Sequence, residues 1–381
     1  MGTSMSLDPG RSSAAPVVVV GAGQSGLAAA LMLRELGMPT VIMEASDRPA
    51  GSWPRYYDSL RLFSPAAYSS MPGMPFPGAP DRYPGRDEVA DYLERYASWV
   101  GVEIQTSTCV LTIRQDGRHF IVVTEDGRAL RASGIVAASG SFSNPYRPSL
   151  EGEEAFAGEL SHVADYRNPA PYAGGRVIVV GAGDSAAQVA NELAPIATVT
   201  LASRHPVRFI PQRLGGQDVH YWLRETGFDT LPAEWLRKIT GGSVVTDSVG
   251  FQQTLADGLV DRRPMFTSLD RGKVVWGDRQ REPVDAIILA TGYRPSVGYL
   301  RELGALEPDG TPIHVRGISG THVGLVYLGL EHQRSFASNT LRGVGDDARA
   351  VIAPLVAWIR DAPTRVGLAS RDITPLALAG A

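Results

Sequence analysis

The sequence predicts an α/β protein that contains two doubly wound parallel sheets. The first observation is a short β-branched run, Val17 to Val20, followed by the glycine turn Gly21-Ala-Gly23-Gln-Ser-Gly26. The second is that the same pattern recurs in Val177 to Val180 and Gly181-Ala-Gly183-Asp-Ser-Ala186, about 160 residues later. A strand, a tight glycine turn and a helix begin a doubly wound sheet, and this spacing is too long for a repeat inside one such sheet.

Apolar periodicity and stop signals predict the elements that follow each turn. A helix is expected over Leu27 to Leu36 and another over Ser185 to Leu193, followed by the strands Thr40 to Glu44 and Thr198 to Ala202. The aromatic-rich stretch Trp53 to Pro84 is interpreted as an ordered loop over a site. Further predicted elements are an amphipathic helix at Asp87–Val100 and hairpin strands at Val110–Arg114, Phe120–Thr124 and Ala129–Ala132.

Two buried strands that end at small-residue turns indicate how the domains are divided. The runs Ile135 to Gly140 and Ala286 to Gly292 share this pattern, which suggests that the chain leaves each sheet for the other domain at such a point. We expect one domain to comprise residues 1–150 and 284–381, with a second domain inserted as residues 151–283. Residues 1–15 are expected to be disordered. Two helical stretches are expected within Val219 to Ile239.

The composition excludes several classes of protein. With 36 basic and 40 acidic residues the formal net charge is −4, so the basic excess typical of nucleic-acid binders is missing. No apolar run reaches the roughly 18 residues that a membrane helix needs. The single cysteine, Cys109, excludes a disulfide framework, and the 7 histidines show no metal-binding spacing. We therefore expect a soluble cytoplasmic protein without a bound metal and without nucleic-acid or membrane partners.

Each glycine turn has the residues that a Rossmann-like dinucleotide-binding site needs. The first glycine permits the tight turn, the second lets the backbone approach a pyrophosphate, and Gly26 or Ala186 lets helix and strand pack closely. The amino-terminal end of the helix then faces the phosphates. A third match, Gly343 to Ala348, lacks a preceding strand. The candidate phosphate-binding residues are therefore Gly21, Gly23, Gln24, Ser25 and Gly26 in the first turn and Gly181, Gly183, Asp184 and Ser185 in the second.

The residue that follows each second strand distinguishes the two sites. Glu44 lies 23 residues after Gly21, and a carboxylate there accepts hydrogen bonds from ribose hydroxyls but repels a 2′-phosphate. Arg204 lies 23 residues after Gly181 and is preceded by Ser203, a pair that suits a 2′-phosphate. The first site is therefore expected to hold FAD or NAD and the second NADPH. The alternative is that Arg204 is a surface residue without a ligand.

Two dinucleotides in one chain imply electron transfer from NADPH to a flavin. Disulfide reductases need a pair of redox cysteines, which this chain lacks. The final electron acceptor is therefore oxygen, an organic molecule or a partner protein.

At this point the sequence resembles the flavin-containing monooxygenases, the single-component family that uses FAD and NADPH. The most specific segment is Phe156-x-Gly158-x-x-x-His162-x-x-x-Tyr166, which looks like the fingerprint of heteroatom-oxygenating members; Baeyer–Villiger members have Trp at the last position. We interpret these side chains chiefly as packing and linker residues without a chemical role. The resemblance extends from Val17 to about Leu355.

Other segments agree with this resemblance. Gly51-Ser52-Trp53 resembles the turn that follows the flavin ribose acid, and Leu289-Ala-Thr291-Gly292-Tyr293 resembles an element near the join of the two domains. Asp58 to Tyr96 is similar to plant members of the auxin pathway and to small bacterial members associated with arsenic or metal resistance. The chain departs from many members at Pro65, where they have Asn, and at Ser139, where they often have Thr.

The resemblance implies further residues beside the flavin. Gln333 and Asn339 are polar candidates in the carboxyl-terminal return, with solvent-exposed loop residues as the alternative interpretation. No side chain is assigned a certain catalytic role, because the flavin carries most of the chemistry. The additional cofactor-binding candidates are Ser52, Trp53, Arg61, Leu62, Val110, Ser139, Gly140, Thr291, Gly292 and Asp346.

The resemblance also implies a reaction. NADPH reduces FAD, the reduced flavin and O2 form a C4a-(hydro)peroxide, and a soft nitrogen, sulfur or arsenic atom of a small molecule takes the distal oxygen. The alternatives are a Baeyer–Villiger enzyme acting on ketones and an NADPH oxidase or flavin reductase that serves a partner. A non-catalytic binding protein is least favoured, because both phosphate turns are intact. A homodimer is expected from the family.

Overall fold

The computed structural model describes residues 15–232, 234–235 and 244–361. The amino-terminal segment expected to be disordered therefore falls outside the described residues except for its last position. So do the end of the helical stretch expected over Val219 to Ile239 and the residues after 361.

The described residues form the following helices and strands. The helices are α1 (Gln24–Glu35), α2 (Arg86–Val100), α3 (Asp184–Leu193), α4 (Val219–Glu225), α5 (Phe251–Ala256) and α6 (Val344–Arg360). Short 3-10 helices occur at Trp53–Arg55, Ala66–Tyr68, Glu153–Ala155, Ala170–Tyr172, Phe228–Thr230 and Gly298–Leu300. The first strands are β1 (Val17–Val20), β2 (Thr40–Met43), β3 (Glu103–Gln105), β4 (Val110–Asp116), β5 (His119–Thr124), β6 (Ala129–Ala132), β7 (Gly134–Ala137), β8 (Glu159–His162), β9 (Arg176–Val180), β10 (Thr198–Ser203) and β11 (Arg208–Ile210). The remaining strands are β12 (Arg213–Leu214), β13 (Gln217–Asp218), β14 (Val244–Thr246), β15 (Val260–Pro264), β16 (Ser268–Asp270), β17 (Lys273–Val275), β18 (Arg281–Pro283), β19 (Ala286–Leu289), β20 (His314–Val315), β21 (Ile318–Ser319) and β22 (Leu325–Tyr327).

The first sheet has seven strands in the order β20-β21-β22-β7-β1-β2-β3. Its centre is parallel, with Val17 of β1 opposite Thr40 of β2 and Gly134 of β7. Side chains along β1 alternate between two apolar clusters, because successive strand residues point to opposite faces. Val17 and Val19 pack with helices α1, α2 and α6, whereas Val18 and Val20 pack with the antiparallel layer β4-β5-β6.

The second sheet has five parallel strands in the order β15-β10-β9-β19-β8. It repeats the layering of the first sheet. Val177 and Val179 pack with α3 on one face, and Ile178 and Val180 pack with the antiparallel layer β16-β17-β18 on the other. The expected fold class, two doubly wound units with the second inserted into the first, is confirmed.

The domain boundary expected at residue 284 needs correction. Strand β19 pairs with β9 in the second sheet, so the chain returns to the first sheet only after Leu289. The physical reason is a structural repeat, since β19 lies beside β9 as β7 lies beside β1. The two strand-to-glycine runs at 135–140 and 286–292 therefore occupy matching positions in the two sheets, as their shared pattern suggested.

Helix boundaries also differ from those expected. Helix α1 begins at Gln24 and α3 at Asp184, because the second glycine of each turn, Gly23 or Gly183, is itself the N-cap. Each helix therefore brings its first N–H groups directly to the end of the preceding strand. None of the described helices is both long enough and apolar enough to cross a membrane.

Candidate active site

A cleft of about 500 Å³ opens at the carboxyl ends of β1, β2 and β7. Parallel sheets place ligand sites at this edge. The cleft brings together residues that are up to about 300 positions apart in the chain. Among the candidates named above, those that line it are Gly21, Gly23, Gln24, Ser25, Glu44, Ser52, Trp53, Leu62, Val110, Ser139, Gly140 and Asn339.

The first glycine turn is held by close backbone contacts. A Cβ on Gly21, whose φ is +102°, would lie 2.7 Å from the carbonyl oxygen of Ala138, which follows β7. A Cβ on Gly26 would lie 1.8 Å from the carbonyl oxygen of Gly21, so only glycine lets α1 pack against the turn. Gly51 approaches from the far side, where a Cβ would lie 2.8 Å from Gly23 Cα. Side chains at these positions would fill the space beside the helix terminus.

The first turn of α1 presents backbone N–H groups that no side chain within the described ranges caps. Helix geometry leaves the first N–H groups without intrahelical acceptors. No side chain caps α1 at Gly23, and no acidic residue stands in its first turn. These N–H groups and the positive end of the helix dipole fit a pyrophosphate.

Glu44 is a buried carboxylate at the end of β2. Its Oε2 accepts a hydrogen bond from Ala22 N at 2.5 Å, and its Oε1 accepts from Ser46 N at 2.9 Å and from Ser46 Oγ at 2.7 Å. A carboxylate has roughly four lone-pair positions, so one remains for a ligand hydroxyl. The geometry fits the expected ribose contact.

The other end of the cleft is closed by aromatic rings and by the carboxyl-terminal return. Trp53 Nε1 donates to Gln24 Oε1 at 3.0 Å, and Gln24 Nε2 donates to the carbonyl oxygen of Asn339 at 3.3 Å. Tyr56 packs edge-on against Phe142, with ring centroids 4.5 Å apart. Cleft-lining residues that the sequence did not single out include Tyr56, Phe63, Phe142, Tyr299, Thr340 and Leu341. Two sequence signals bear on this set: Tyr56 and Phe63 lie in the aromatic-rich loop, and Thr340 and Leu341 lie in the carboxyl-terminal return.

The carboxyl-terminal return brings backbone donors to the cleft. Leu341 lines the cleft, and none of the residues that the structure describes accepts a hydrogen bond from its N–H. Ser139 is fixed on the opposite wall, where its Oγ donates to the carbonyl oxygen of Ser296 at 2.7 Å and lies 3.0 Å from the hydroxyl of Tyr299. The backbone N–H of Leu341 can therefore donate a hydrogen bond to the polar edge of a flavin ring.

Some candidate residues lie outside the cleft. Gln333 is buried, donates through Nε2 to the carbonyl oxygen of Tyr327 at 3.0 Å and accepts from Leu330 N at 3.3 Å, so it stabilises its own turn. Asp346 lines a different cavity, and its carboxylate pairs with Arg349. Arg61 faces solvent, and its Nη1 is 3.5 Å from the carbonyl oxygen of Tyr83.

The fingerprint residues tie the second sheet to the run at 286–292. His162 is buried, accepts a hydrogen bond from Ala164 N through Nδ1 (3.1 Å) and donates from Nε2 to the carbonyl oxygen of Gly292 (3.1 Å). This arrangement suits a neutral imidazole, and burial lowers the pKa of His162. Thr291 is also held in place, since its Oγ1 donates to the carbonyl oxygen of Tyr146 at 2.5 Å.

The other three fingerprint positions serve packing. A Cβ on Gly158 would lie 2.7 Å from both the Phe156 ring and the carbonyl oxygen of Asp285. Tyr166 is buried and donates to Glu192 Oε2 at 2.9 Å. None of the four fingerprint residues lines the cleft, which agrees with their interpretation as packing and linker residues.

The second glycine turn repeats the geometry of the first. A Cβ on Gly181 would lie 2.4 Å from the carbonyl oxygen of Ala290, which follows β19. The N-cap of α3, Gly183, has no side-chain cap and has open space around its Cα. Asp184 begins the helix beside Ser185, and burial raises the pKa of the Asp184 carboxyl to about 6 although Thr246 N donates to it.

Arg204 is exposed immediately after β10, the strand beside β9. Ser203 directs its hydroxyl at the carbonyl oxygen of His205 at 2.7 Å. A guanidinium at this sheet edge is free to meet a 2′-phosphate, which fits NADPH at the second turn.

The segment after Trp53 connects the two units. The hydroxyl of Tyr57 donates to Gln188 Oε1 of α3 at 2.7 Å, and Asp58 N donates to the carbonyl oxygen of Arg167 at 2.8 Å. Tyr56 and Leu62 of the same segment line the first cleft. The loop is therefore ordered and places one wall of the cleft beside the second dinucleotide turn.

Cys109 lines the cleft but is poorly suited to redox chemistry. Burial raises the pKa of its thiol to about 11, helped by the nearby Glu125. Reactive thiols instead have a lowered pKa. In the part of the chain that the structure describes, no group of three or more His, Cys, Asp or Glu side chains could hold a metal ion.

Comparisons with known proteins agree with this geometry. A family model described as pyridine nucleotide-disulphide oxidoreductase matches residues 18–234. The CzcO-like oxidoreductase of Geobacillus kaustophilus is 33% identical over 88% of this chain and 97% of its own length. The indole-3-pyruvate monooxygenase YUCCA1 of Oryza sativa subsp. japonica is 31% identical over 86% of this chain and 90% of its own length.

A solved structure shows the same architecture. The flavin-containing monooxygenase from Stenotrophomonas maltophilia superimposes with a TM-score of 0.80 at 30% identity, covering 90% of this chain and 98% of that chain. The donors of the first turn fit FAD, and the second turn with Arg204 fits NADPH. On these grounds the chain belongs to the flavin-containing monooxygenase family and is a FAD- and NADPH-dependent oxidoreductase.

Proposed function

We propose that this protein uses NADPH, FAD and O2 to transfer one oxygen atom to a soft nitrogen, sulfur or arsenic atom of a small molecule. The balanced reaction consumes NADPH, a proton, O2 and the substrate, and it yields NADP⁺, water and the oxygenated substrate. The observation that carries the proposal is the segment at 53–63, which forms a wall of the flavin cleft and contacts α3 at the second dinucleotide turn.

The protein residues would hold the cofactors and keep the cleft dry. The first-turn N–H groups of α1 would bind the FAD pyrophosphate, and Glu44 would accept from a ribose hydroxyl. Trp53, Tyr56 and Phe142 would shield the ring end from water. When bound, FAD supplies the hydride acceptor and the centre at which oxygen is activated.

The titratable groups of the cleft favour heteroatom oxygenation over Baeyer–Villiger insertion. Transfer to a soft heteroatom uses a protonated oxygen donor, whereas insertion beside a ketone uses a deprotonated one. Among the described residues that line the cleft there is no histidine, and the one carboxylate, Glu44, is already engaged by Ala22 and Ser46. The protein therefore offers no evident base to the reacting centre.

Anaerobic stopped-flow absorbance tests the proposal. FAD-loaded protein is reduced with NADPH and mixed with oxygenated buffer, first alone and then with trimethylamine, thioanisole, arsenite or cyclohexanone. We expect a long-lived absorbance that differs from oxidised and reduced flavin, that is prolonged by NADP⁺ and that one of the first three compounds discharges to its oxide. Mass spectrometry with ¹⁸O2 would show one labelled oxygen atom in that product.

Other outcomes would overturn the proposal in distinct ways. Immediate return of oxidised flavin with stoichiometric hydrogen peroxide would indicate an NADPH oxidase or a reductase that serves a partner. Discharge by cyclohexanone alone, with formation of the lactone, would indicate a Baeyer–Villiger enzyme. Failure of NADPH to reduce the flavin would show that the second glycine turn and Arg204 do not bind this coenzyme productively.

A further inference from the structure

A second cavity, of about 460 Å³, lies beside the cleft described above. One segment of the carboxyl-terminal return, residues 335–343, contributes residues to the lining of both the cleft and the second cavity. Asn339, Thr340 and Leu341 line the cleft, whereas Ala337 and Arg342 line the second cavity. The cavity is therefore next to the proposed flavin site but separate from both dinucleotide turns.

The walls of this cavity carry four guanidinium groups, from Arg224, Arg316, Arg334 and Arg342. Several of their donors are unused. Arg342 Nη1 is buried and has no hydrogen-bond partner among the described residues. Arg334 uses Nη1, which donates to the carbonyl oxygen of Asp346 at 3.0 Å and lies 3.4 Å from Asp347 Oδ1. Arg316 makes no ion pair with any residue inside the described ranges.

Each of the three acidic residues of the same walls pairs with an arginine. Asp229 binds Arg342 through both oxygens, at 2.8 and 2.9 Å. Asp346 pairs with Arg349 towards solvent. Asp347 is buried, no residue within the described ranges donates a hydrogen bond to its Oδ2, and burial raises the pKa of this carboxyl. The spare hydrogen-bonding capacity of the cavity is therefore dominated by cationic donors.

The remaining wall is suited to an apolar body. The ring of Tyr68 lies in the cavity wall, with the guanidinium of Arg224 5.2 Å from its centroid. Ala67 and Ala337 add methyl groups beside it. Cavities of about 300–1,000 Å³ that combine an apolar wall with a few convergent polar groups are typical small-molecule sites.

We propose that this second cavity binds a small organic carboxylate, with its acid group held by Arg316 and Arg334 and its apolar part against Tyr68. Planar guanidinium groups match carboxylates in charge and shape. The site goes beyond the proposed oxygenation, because it requires neither flavin reduction nor O2.

Calorimetric titration of the FAD-loaded protein tests this site without turnover. The probes are acetate, benzoate and phenylacetate, with phenylacetamide as the neutral isostere of the last. We expect phenylacetate to bind at least ten times more tightly than phenylacetamide. We expect Arg316→Gln and Arg334→Gln each to lower phenylacetate affinity at least about tenfold, the size of one charged hydrogen bond.

Two controls locate the binding. Arg114→Gln removes an exposed guanidinium that pairs with Glu302 outside the cavity, and phenylacetate affinity should be unchanged. Saturating NADP⁺ should leave phenylacetate binding intact, because the cavity is separate from the second glycine turn. Retained FAD absorbance shows that each variant is folded, and Arg316 is the safer variant because no described residue forms an ion pair with it.

The proposal is wrong if none of the three acids binds, if acid and amide bind equally or if neither arginine variant weakens binding. Displacement of the acid by NADP⁺ would place it in the dinucleotide site and would also overturn the proposal. These outcomes leave the proposed oxygenation untouched, since that is judged by flavin kinetics. Conversely, the protein could bind the acid tightly and yet produce only hydrogen peroxide. That result would support the proposed carboxylate site and contradict the proposed monooxygenase activity.

Discussion

The carboxylate of Glu44 accepts a hydrogen bond of 2.5 Å from the backbone N–H of Ala22, which joins the end of β2 to the glycine turn after β1. Its other oxygen accepts from Ser46 N at 2.9 Å. A single side chain therefore holds the phosphate turn in place and can still accept a hydrogen bond from a ribose hydroxyl. We therefore expect this position to tolerate little change.

Replacing Glu44 with Gln should weaken FAD retention and stability together. Because both carboxylate oxygens face backbone N–H groups, an amide must oppose one of them with its own NH₂. We expect a loss of about 1–3 kcal/mol in the free energy of unfolding and a lower FAD-to-protein absorbance ratio after gel filtration. Glu103→Gln is the matched control, because Glu103 is exposed on the next strand. Equal FAD content in the two variants would reject the role given to Glu44.

Gly26→Ala adds only one methyl group, but we expect it to disrupt folding and FAD binding. The added methyl group would lie 1.8 Å from the carbonyl oxygen of Gly21, so α1 must move away from the turn. We expect protein that is insoluble or purifies without FAD. Gly277→Ala serves as the control, since a Cβ at Gly277 has nothing within 4 Å. Normal FAD binding by the Gly26 variant, measured by fluorescence quenching of FAD, would contradict the packing argument.

Asp184→Asn should stabilise the protein at neutral pH. The folded carboxyl has a pKa of about 6, above its ordinary value of 3.8, so the folded state loses stability as pH rises through 6. Asn cannot ionise, so the variant should exceed the native chain by about 1–3 kcal/mol at pH 7.5. The difference should shrink towards pH 5. Thermal unfolding across pH 5 to 8 measures it, with exposed Asp261→Asn as the control, and a pH-independent difference would count against the argument.

Arg204→Gln should change the coenzyme preference. If the guanidinium pairs with the 2′-phosphate, its loss should raise the KM for NADPH at least about tenfold and leave the KM for NADH almost unchanged. Steady-state oxidation of NADPH or NADH in aerated buffer, at varied coenzyme concentration, gives both values. Arg262→Gln, on the exposed edge strand β15, is the control. If KM for NADPH stays constant, Arg204 is the ligand-free surface residue of the alternative interpretation.

The two glycine turns were predictable because their geometry is local. Each strand, turn and helix lies within about 20 consecutive residues, and the β-branched runs, glycines and small residues specify it directly. The strands β1, β9 and β6 were expected at or near their observed bounds. The domain boundary was misplaced because β19 is assigned to a sheet by its pairing with β9, which has no local signature.

The carboxyl-terminal return shows where sequence reasoning failed. Gln333 was a candidate for contact with the flavin, yet its amide is used by the carbonyl oxygen of Tyr327, only 6 residues earlier. Asp346 was assigned to the same site but lines the second cavity. Asn339, between them, does line the cleft. Which side of an irregular segment faces a ligand depends on its packing against other elements.

The sequence by itself determined the fold class, both phosphate turns and the contrast between Glu44 and Arg204, because these features depend on residues close together in the chain. Only the tertiary structure decided the aromatic wall formed by Tyr56 and Phe142, and the second cavity. Arg224 and Arg342 are more than a hundred residues apart, and their meeting around one space depends on how the two units pack. Long-range convergence of this kind leaves no periodicity or motif in a single sequence.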